Sequence, residues 1–558
     1  MKRPLKIFTL ILAGCIFFCT AGAQNRYNDH KTLIQKISAL AKEHPALCTA
    51  KPLGKTFGGR EVMVLTIGTG DKDNKPGIAV LGGIEGSYIL GRELAFGFAG
   101  ELLKESGSQE IKSLLDKITF YVFPDLSPDA SEQYFQGLKY ERNVNARQTD
   151  DDRDFLKDED PAEDLNNDGF ITLMRISDPS GTYIESQDDN RIMVPADLSK
   201  GQKGSYLVYS EGTDNDKDGN FNEDGPGGVN FNRNLTYNYE EFGENAGSHP
   251  VSEPETKALL DFLFDHYNIY TTFAFGPQDN LGQPMKAAER PSITQQPGQM
   301  PAGGQGQTRR TEQDRRLTSI LKSDEVINKL VSEKYHKITG VRGAPATRSS
   351  QGNFMEWSYF HYGRYSFSTP AWWYPVGKDQ NPDVAFLKFA AENKMDNVFV
   401  PWAGINHPDF PGKKAEAGGI KPFAAINPPP DSLQDLIVKN YRFITAVAGM
   451  HPALEFLDIK VEDQGENVFR LTLKVHNDGI FATCTEAGER NMWTRVMRIS
   501  VETADRQELL SGNKVQRIRR LEGDGYAEFS WLIMGKSTVK ITAGAVNTGI
   551  VTTSVDLN

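Results

Sequence analysis

Ala79-Val80-Leu81-Gly82-Gly83-Ile84-Glu85-Gly86-Ser87-Tyr88-Ile89-Leu90-Gly91-Arg92-Glu93 runs from an unbroken apolar stretch, through a glycine-rich turn, into a segment of helical periodicity. The apolar run 77–84 suits a strand, and Leu90, Leu94, Phe98 and Leu102 fall on one helix face. Strand-like runs also cover 62–67, 118–123 and 269–275, the last a buried strand. Between them lie helical patterns: one opens the mature chain with Leu33, Ile34, Ile37, Leu40 and Ala41. A second starts at Ser252, where Glu255 three residues later reads as a capping box, and continues through His266. Strands alternating with helices imply an α/β layer fold around a largely buried sheet.

At 558 residues the chain is long enough for two or more domains. Residues 290–315, rich in Pro, Gln, Gly and Arg without apolar periodicity, read as a disordered surface insertion, followed by a helix over 316–337. The character changes after Pro428-Pro429-Pro430 and a helix over 432–448. Beyond Pro452 short alternating runs (454–461, 468–475, 495–501, 539–543) predict a β-sandwich of roughly immunoglobulin size. The expected division is a signal peptide over 1–23, an α/β domain over 24–450 and a β-sandwich over 451–558.

Lys2, Arg3 and Lys6 precede an apolar core from Ile7 to Phe18 and the small residues Ala21-Gly22-Ala23, the form of a signal peptide. Export to the periplasm, the cell surface or the medium is expected. The apolar run is too short to span a membrane. Leu12-Ala13-Gly14-Cys15 also has the form of a lipoprotein box, which would leave an acylated Cys15 as N-terminus. Removing residues 1–23 moves the net charge from -12 to -15, which argues against a nucleic-acid partner. Only Cys48 and Cys484 lie outside the signal segment, so neither a disulfide framework nor a cysteine metal site is expected.

The quoted strand–turn–helix resembles that of the carboxypeptidase A-type zinc metallocarboxypeptidases, and the resemblance extends over roughly 25–430. It implies an α/β/α domain with a mixed eight-stranded sheet. Asn406-His407-Pro408-Asp409-Phe410, Glu416-Ala417-Gly418-Gly419 and the β-rich tail resemble features of large secreted bacterial members. In the family the turn reads His-x-x-Glu, and both residues bind zinc; here the positions hold Glu85 and Tyr88. A phenol with a pKa near about 10 is a poor zinc ligand. The family's third ligand, a histidine ending a later strand, falls on Gly276, or on Phe275 if the register slips by one; the general base falls on Pro370, which cannot take a proton. Glu85 reads either as a solvated turn carboxylate or as an acid paired with an arginine in the former metal cavity, and Tyr88 and Phe275 as cavity-filling core.

The family's Asn-Arg pair, which grips a peptide's C-terminal carboxylate, matches Asn232 and Arg233, a chemistry suited to bidentate recognition. Its catalytic arginine falls on Arg142 or, with a different register, on Asn143; its substrate-capping tyrosine would fall near Arg348. The resemblance thus implies an exported, catalytically inactive homologue without zinc that binds a peptide C-terminus or another carboxylate. The alternatives are an active zinc carboxypeptidase and a calcium-stabilised surface or scaffold protein. Calcium enters through acidic loops. Asp214, Asp216 and Asp218, with Gly219 at the sixth position, match the start of a calcium loop, as do Asp164, Asn166 and Asp168 with Gly169. Asp150, Asp152 and Asp154 form a third, partial copy, and none of the three has the closing Glu.

Overall fold

The computed structural model describes residues 26–149, 157, 158, 160–215, 217, 219, 221, 222, 225–288, 317–346 and 350–558. The expected signal peptide with Cys15, the low-complexity stretch 290–315, the partial acidic copy at Asp150, Asp152 and Asp154, and Arg348 lie outside the described residues.

The central sheet runs in the order Cys48–Lys55, Glu61–Ile67, Thr119–Phe123, Gly77–Leu81, Ile269–Phe275, Tyr365–Thr369. The first three strands pair antiparallel and the last four run parallel, so the sheet is mixed. It has six strands among the described residues, where eight were expected. Strand period places alternate side chains on opposite faces. Ile78 and Val80 join one core with Leu94, Phe98, Ile437 and Phe443; Ala79 and Leu81 join another with Leu259, Leu260 and Leu263. Helices Ile89–Lys104 and Leu433–Ala448 therefore cover one face and Pro254–Asp265 the other, an α/β/α arrangement. All five residues of Gly77–Leu81 are buried, which is why its sequence is apolar without alternation.

A second, antiparallel sheet is built from two distant segments. Phe399–Ile405 and Ala415–Ile420 form a hairpin around the Asn406–Phe410 motif, and Ala415–Ile420 pairs with Leu173–Ser177, from which the sheet continues to Tyr206–Ser210, Tyr183–Glu185 and Met193–Pro195. Arg175 joins the two segments, its Nε 2.8 Å from Glu416 Oε2 and its Nη1 3.0 Å from Glu185 Oε1. The C-terminal region is all β. Two four-stranded antiparallel sheets enclose Leu471, Ile499, Trp531, Ile533 and Ile541. Asp324, at the start of helix Lys322–Thr339, ties this region to the rest by accepting from the backbone N–H groups of Glu486 and Ala487.

Local details correct the sequence reading. The expected capping box is absent: Glu253 is the N-cap of helix Pro254–Asp265 and makes no side-chain cap bond. Pro254 at the first position supplies a preset φ, and Ser252 donates to Glu253 instead. The helix expected from 316 begins at Lys322, and the aromatic segment forms one turn, Phe354–Glu356, followed by a π turn, Trp357–His361.

Helix Pro382–Glu392 has a true cap, Asn381, whose Oδ1 accepts from Asp383 and Val384 N–H. Asn381→Ala is expected to cost about 1 kcal/mol. A lower denaturation midpoint with an unchanged slope would register it.

Candidate active-site cleft

The ends of three parallel strands bring the residues of interest together, as expected for ligand sites at the carboxyl edge of an open α/β sheet. Gly77–Leu81 leads into the Glu85 turn, Ile269–Phe275 into Gly276 and Tyr365–Thr369 into Pro370. Gly276 N–H donates to Thr369 O at 3.1 Å, fixing the second and third ends against each other. Gly83 makes the first turn possible. Its φ is +61°, and a Cβ there would lie 2.3 Å from Asp125 Oδ1 and 2.9 Å from the backbone of Leu126.

Glu85 is 8% exposed. Its Oε1 accepts from Asn230 Nδ2 at 2.7 Å and its Oε2 from Asn232 Nδ2 at 3.2 Å. The buried carboxylate is thus gripped by two neutral amides. Tyr88 is buried at the N-cap of helix Ile89–Lys104. A Cβ on Gly276 would fall 2.5 Å from Ile84 Cδ1, so Ile84 occupies the space any side chain at 276 would need. Phe275 lies in the core with Phe273 and Phe367. Pro370 is buried, followed by Ala371 at φ +61°. A catalytic zinc ion needs three protein donors and an open position. Glu85, Tyr88 and Gly276 offer one already hydrogen-bonded carboxylate, a phenol and no side chain, so these residues do not fit the ion.

Asn232 and Arg233 sit on the short turn Phe231–Arg233. Asn232 has no exposure; besides Glu85 it donates to Gln278 Oε1 at 2.7 Å, and its Oδ1 accepts from Phe354 N–H. Every polar atom of its amide therefore faces inward. Arg233, 25% exposed on its side chain, places Nη2 2.9 Å from Glu240 Oε2, an acid whose side chain is 42% exposed, while its Nε is buried with no hydrogen-bond partner among the described residues. Arg142 donates Nε to Val144 O and Nη2 to the carbonyls of Asn145 and Gly227, while Asn143 Oδ1 accepts from Ser87 N–H. Arg142 and Asn143 line a cavity of about 1540 Å³ whose wall also includes Arg147, Lys157, Glu244 and Lys421. Glu85, Asn232, Arg233, Gly276 and Pro370 are not part of that wall.

Sequence reasoning missed Asn230 and Gln278. Each stands two residues from a position it had singled out, and the Asn230-Phe231-Asn232 alternation was the available signal. Behind the cavity wall, Asn145 Nδ2 donates to both Glu253 Oε2 and Glu255 Oε1, each at 2.7 Å. Burial pushes Glu255 up to about 7, and the neighbouring charge of Glu253 adds to the rise.

The acidic loops lie elsewhere. Asp164 accepts from Asp168 and Gly169 N–H, Asn166 Oδ1 from Asp168 N–H, and Asp168 Oδ1 from Phe170 N–H. Asp214 Oδ2 accepts from Gly219 N–H, and its Oδ1 is buried with no hydrogen-bond partner among the described residues. Asp216 and Asp218 lie outside the described residues.

Comparison with known proteins bears out the resemblance read from the sequence. Residues 33–176 match the zinc carboxypeptidase family, and residues 453–556 match a domain of unknown function. The chain is 31% identical over 111 residues to Carboxypeptidase B of Homo sapiens, covering 20% of this chain and 26% of that protein. It is 26% identical over 189 residues to Carboxypeptidase E of Caenorhabditis elegans, covering 32% and 38%. Inactive metallocarboxypeptidase ECM14 of Saccharomyces cerevisiae is 29% identical over 109 residues, covering 19% and 25%. The chain thus spans about a quarter to two fifths of these relatives. The crystal structure of thrombin activatable fibrinolysis inhibitor aligns at 13% identity with TM-score 0.42, covering 77% of this chain and 78% of that one. Among the described residues no helix is long and apolar enough to cross a membrane.

Proposed function

We propose that this carboxypeptidase A-type homologue is an exported, catalytically inactive member of its family that binds a peptide C-terminus or another carboxylate-bearing ligand. The observation that carries the reading is the state of Glu85, whose two oxygens accept from Asn230 and Asn232. A group so bound, beside a tyrosine and a glycine, supplies neither the metal site nor the activated water that amide hydrolysis in this family requires. Pro370 removes the base as well.

Arg233 is the ligand-binding residue in this reading. Its present partner, Glu240, is 42% exposed on its side chain, and an exposed ion pair contributes about 0–1 kcal/mol. A ligand carboxylate that met the guanidinium bidentately would displace it. Asn232 frames the turn rather than touching the ligand, because its amide is already fully used. The acidic loops are calcium-ordered segments in the same reading, supported by the buried, unpartnered Oδ1 of Asp214.

Incubation with peptides should release no C-terminal amino acids, with or without added zinc. Calorimetry should show a peptide with a free C-terminus binding more tightly than its C-terminally amidated form. Arg233→Ala should weaken the free-acid peptide by about tenfold, the loss of a charge-assisted pair. Zinc-dependent release of amino acids would overturn the inactive reading, and indifference to amidation would overturn the carboxylate site.

A further inference from the structure

The C-terminal β region holds a histidine ringed by acids, away from the cleft. His476, near the end of strand Val468–Asn477, is 9% exposed. Its Nδ1 lies 2.9 Å from Oε1 of Glu455, its partner on the adjacent antiparallel strand. Its Nε2 lies 3.0 Å from Oδ1 of Asp524, in the turn leading to strand Gly525–Met534. Asp478 follows two residues later, and one ligand atom each from Glu455, His476 and Asp478 fall within 4.8 Å of one another. Three carboxylates therefore surround one imidazole, which even when protonated offsets a single negative charge. Lys474, on the same strand, does not help, since its ammonium is paired with Asp458.

We propose that Glu455, His476 and Asp478 bind a divalent transition-metal ion of the zinc class. Imidazole nitrogen with two carboxylate oxygens is a donor set that suits such an ion, and water would complete the coordination. The ring is already oriented for the task. With Nδ1 turned to Glu455, Nε2–H donates to Asp524, the carboxylate–histidine arrangement that sets the tautomer of a metal-binding imidazole. Nδ1 faces a carboxylate that can only accept and so carries a proton in this geometry; the ion would replace that proton, which leaves to solvent, while Nε2–H stays hydrogen-bonded to Asp524. Glu455 and Asp478 are exposed, so the ion enters directly from water, while buried His476 holds it against the sheet. Its effect would be to pin two adjacent strands and the turn after the second of them, a structural role independent of the cleft.

The test is zinc titration of the full mature chain near neutral pH, followed by calorimetry and thermal denaturation. One zinc ion per chain should bind, about tenfold or more weakly in Glu455→Gln and in Asp478→Asn, and unchanged in Glu85→Gln. Zinc should raise the melting temperature of the parent chain and of Glu85→Gln but not of the other two variants. Both changed side chains are exposed, so the fold should survive, as circular dichroism would verify. Zinc binding absent, or indifferent to Glu455 and Asp478, would overturn the site and leave His476 an ion-paired side chain. Zinc lost on Glu85→Gln alone would place the ion in the cleft and overturn the proposed inactivity instead.

Discussion

Asp125→Ala is expected to lower the free energy of unfolding by about 3–5 kcal/mol, because it strands a fully buried cation. Arg92 has no exposure, and its Nε lies 3.1 Å from Asp125 Oδ2. That approach is off-line for a hydrogen bond, so charge is the main tie between them. Its hydrogen bonding is otherwise sparse: Nη2 donates to Asn28 O at 3.1 Å, and Nη1 has no hydrogen-bond partner among the described residues, while Glu93 and Asp29 act on it through charge. Asp125 also accepts from Ser127 N–H and Ser131 Oγ, so the same carboxylate organises the turn beside the cleft. Chemical denaturation would measure the loss. The double variant Arg92→Met with Asp125→Ala should recover most of it, since removing both charges removes the stranded one. An Asp125→Ala protein as stable as the parent would mean that the pair contributes no net stabilisation.

The second large effect is with pH. Glu255 titrates at about 7 in the folded protein against an ordinary 4.5, so the folded state holds its proton more tightly than the unfolded chain. The resulting stabilisation is fully present below about pH 4.5 and is lost as pH rises through about 7. A gap of one pH between the folded and unfolded values is worth about 1.4 kcal/mol, so this one group makes the protein about 3 kcal/mol less stable at the upper end of the window. The cause is burial, with Glu253 sharing the Asn145 amide. Glu93, Glu211, Asp279 and Asp324 are also raised by burial and add to the same trend. Unfolding free energies from about pH 5 to about pH 8 should carry a component that falls with pH in the parent, set against the opposite contribution of His30 and His451, which burial holds below the ordinary histidine value. Glu255→Gln should fall less steeply by the share of this group. Equal slopes for the two proteins would exclude Glu255 as a source.

Much of the fold was open to reading because its strands are buried on both faces. Continuous apolar runs such as 77–84 and 269–275 stand out without alternation, and the helix behind the Glu85 turn shows its periodicity plainly. The C-terminal strands were legible for the opposite reason: alternate residues face solvent, as the burial pattern of Ser537–Ala545 shows. The second sheet was not visible, because its strands are short and the two that join its halves, Leu173–Ser177 and Ala415–Ile420, pair residues more than 230 positions apart. Nothing local in Ala415–Ile420 announces that it pairs with Leu173–Ser177.

The cleft divides in the same way. That Glu85, Tyr88, Gly276 and Pro370 follow the ends of buried strands is a matter of residue type beside recognisable apolar runs, and the linear chain determines it. Where their polar atoms turn is decided only by the packed structure. Asn232 was the expected contact for a bound carboxylate, yet its amide closes on Glu85, Gln278 and Phe354 N–H. Arg233, its neighbour in the chain, pairs instead with Glu240. A buried polar atom must find its partner from whatever the fold brings within reach. For Glu85 that partner came from residues 145 and 147 positions away, a distance that only tertiary structure closes.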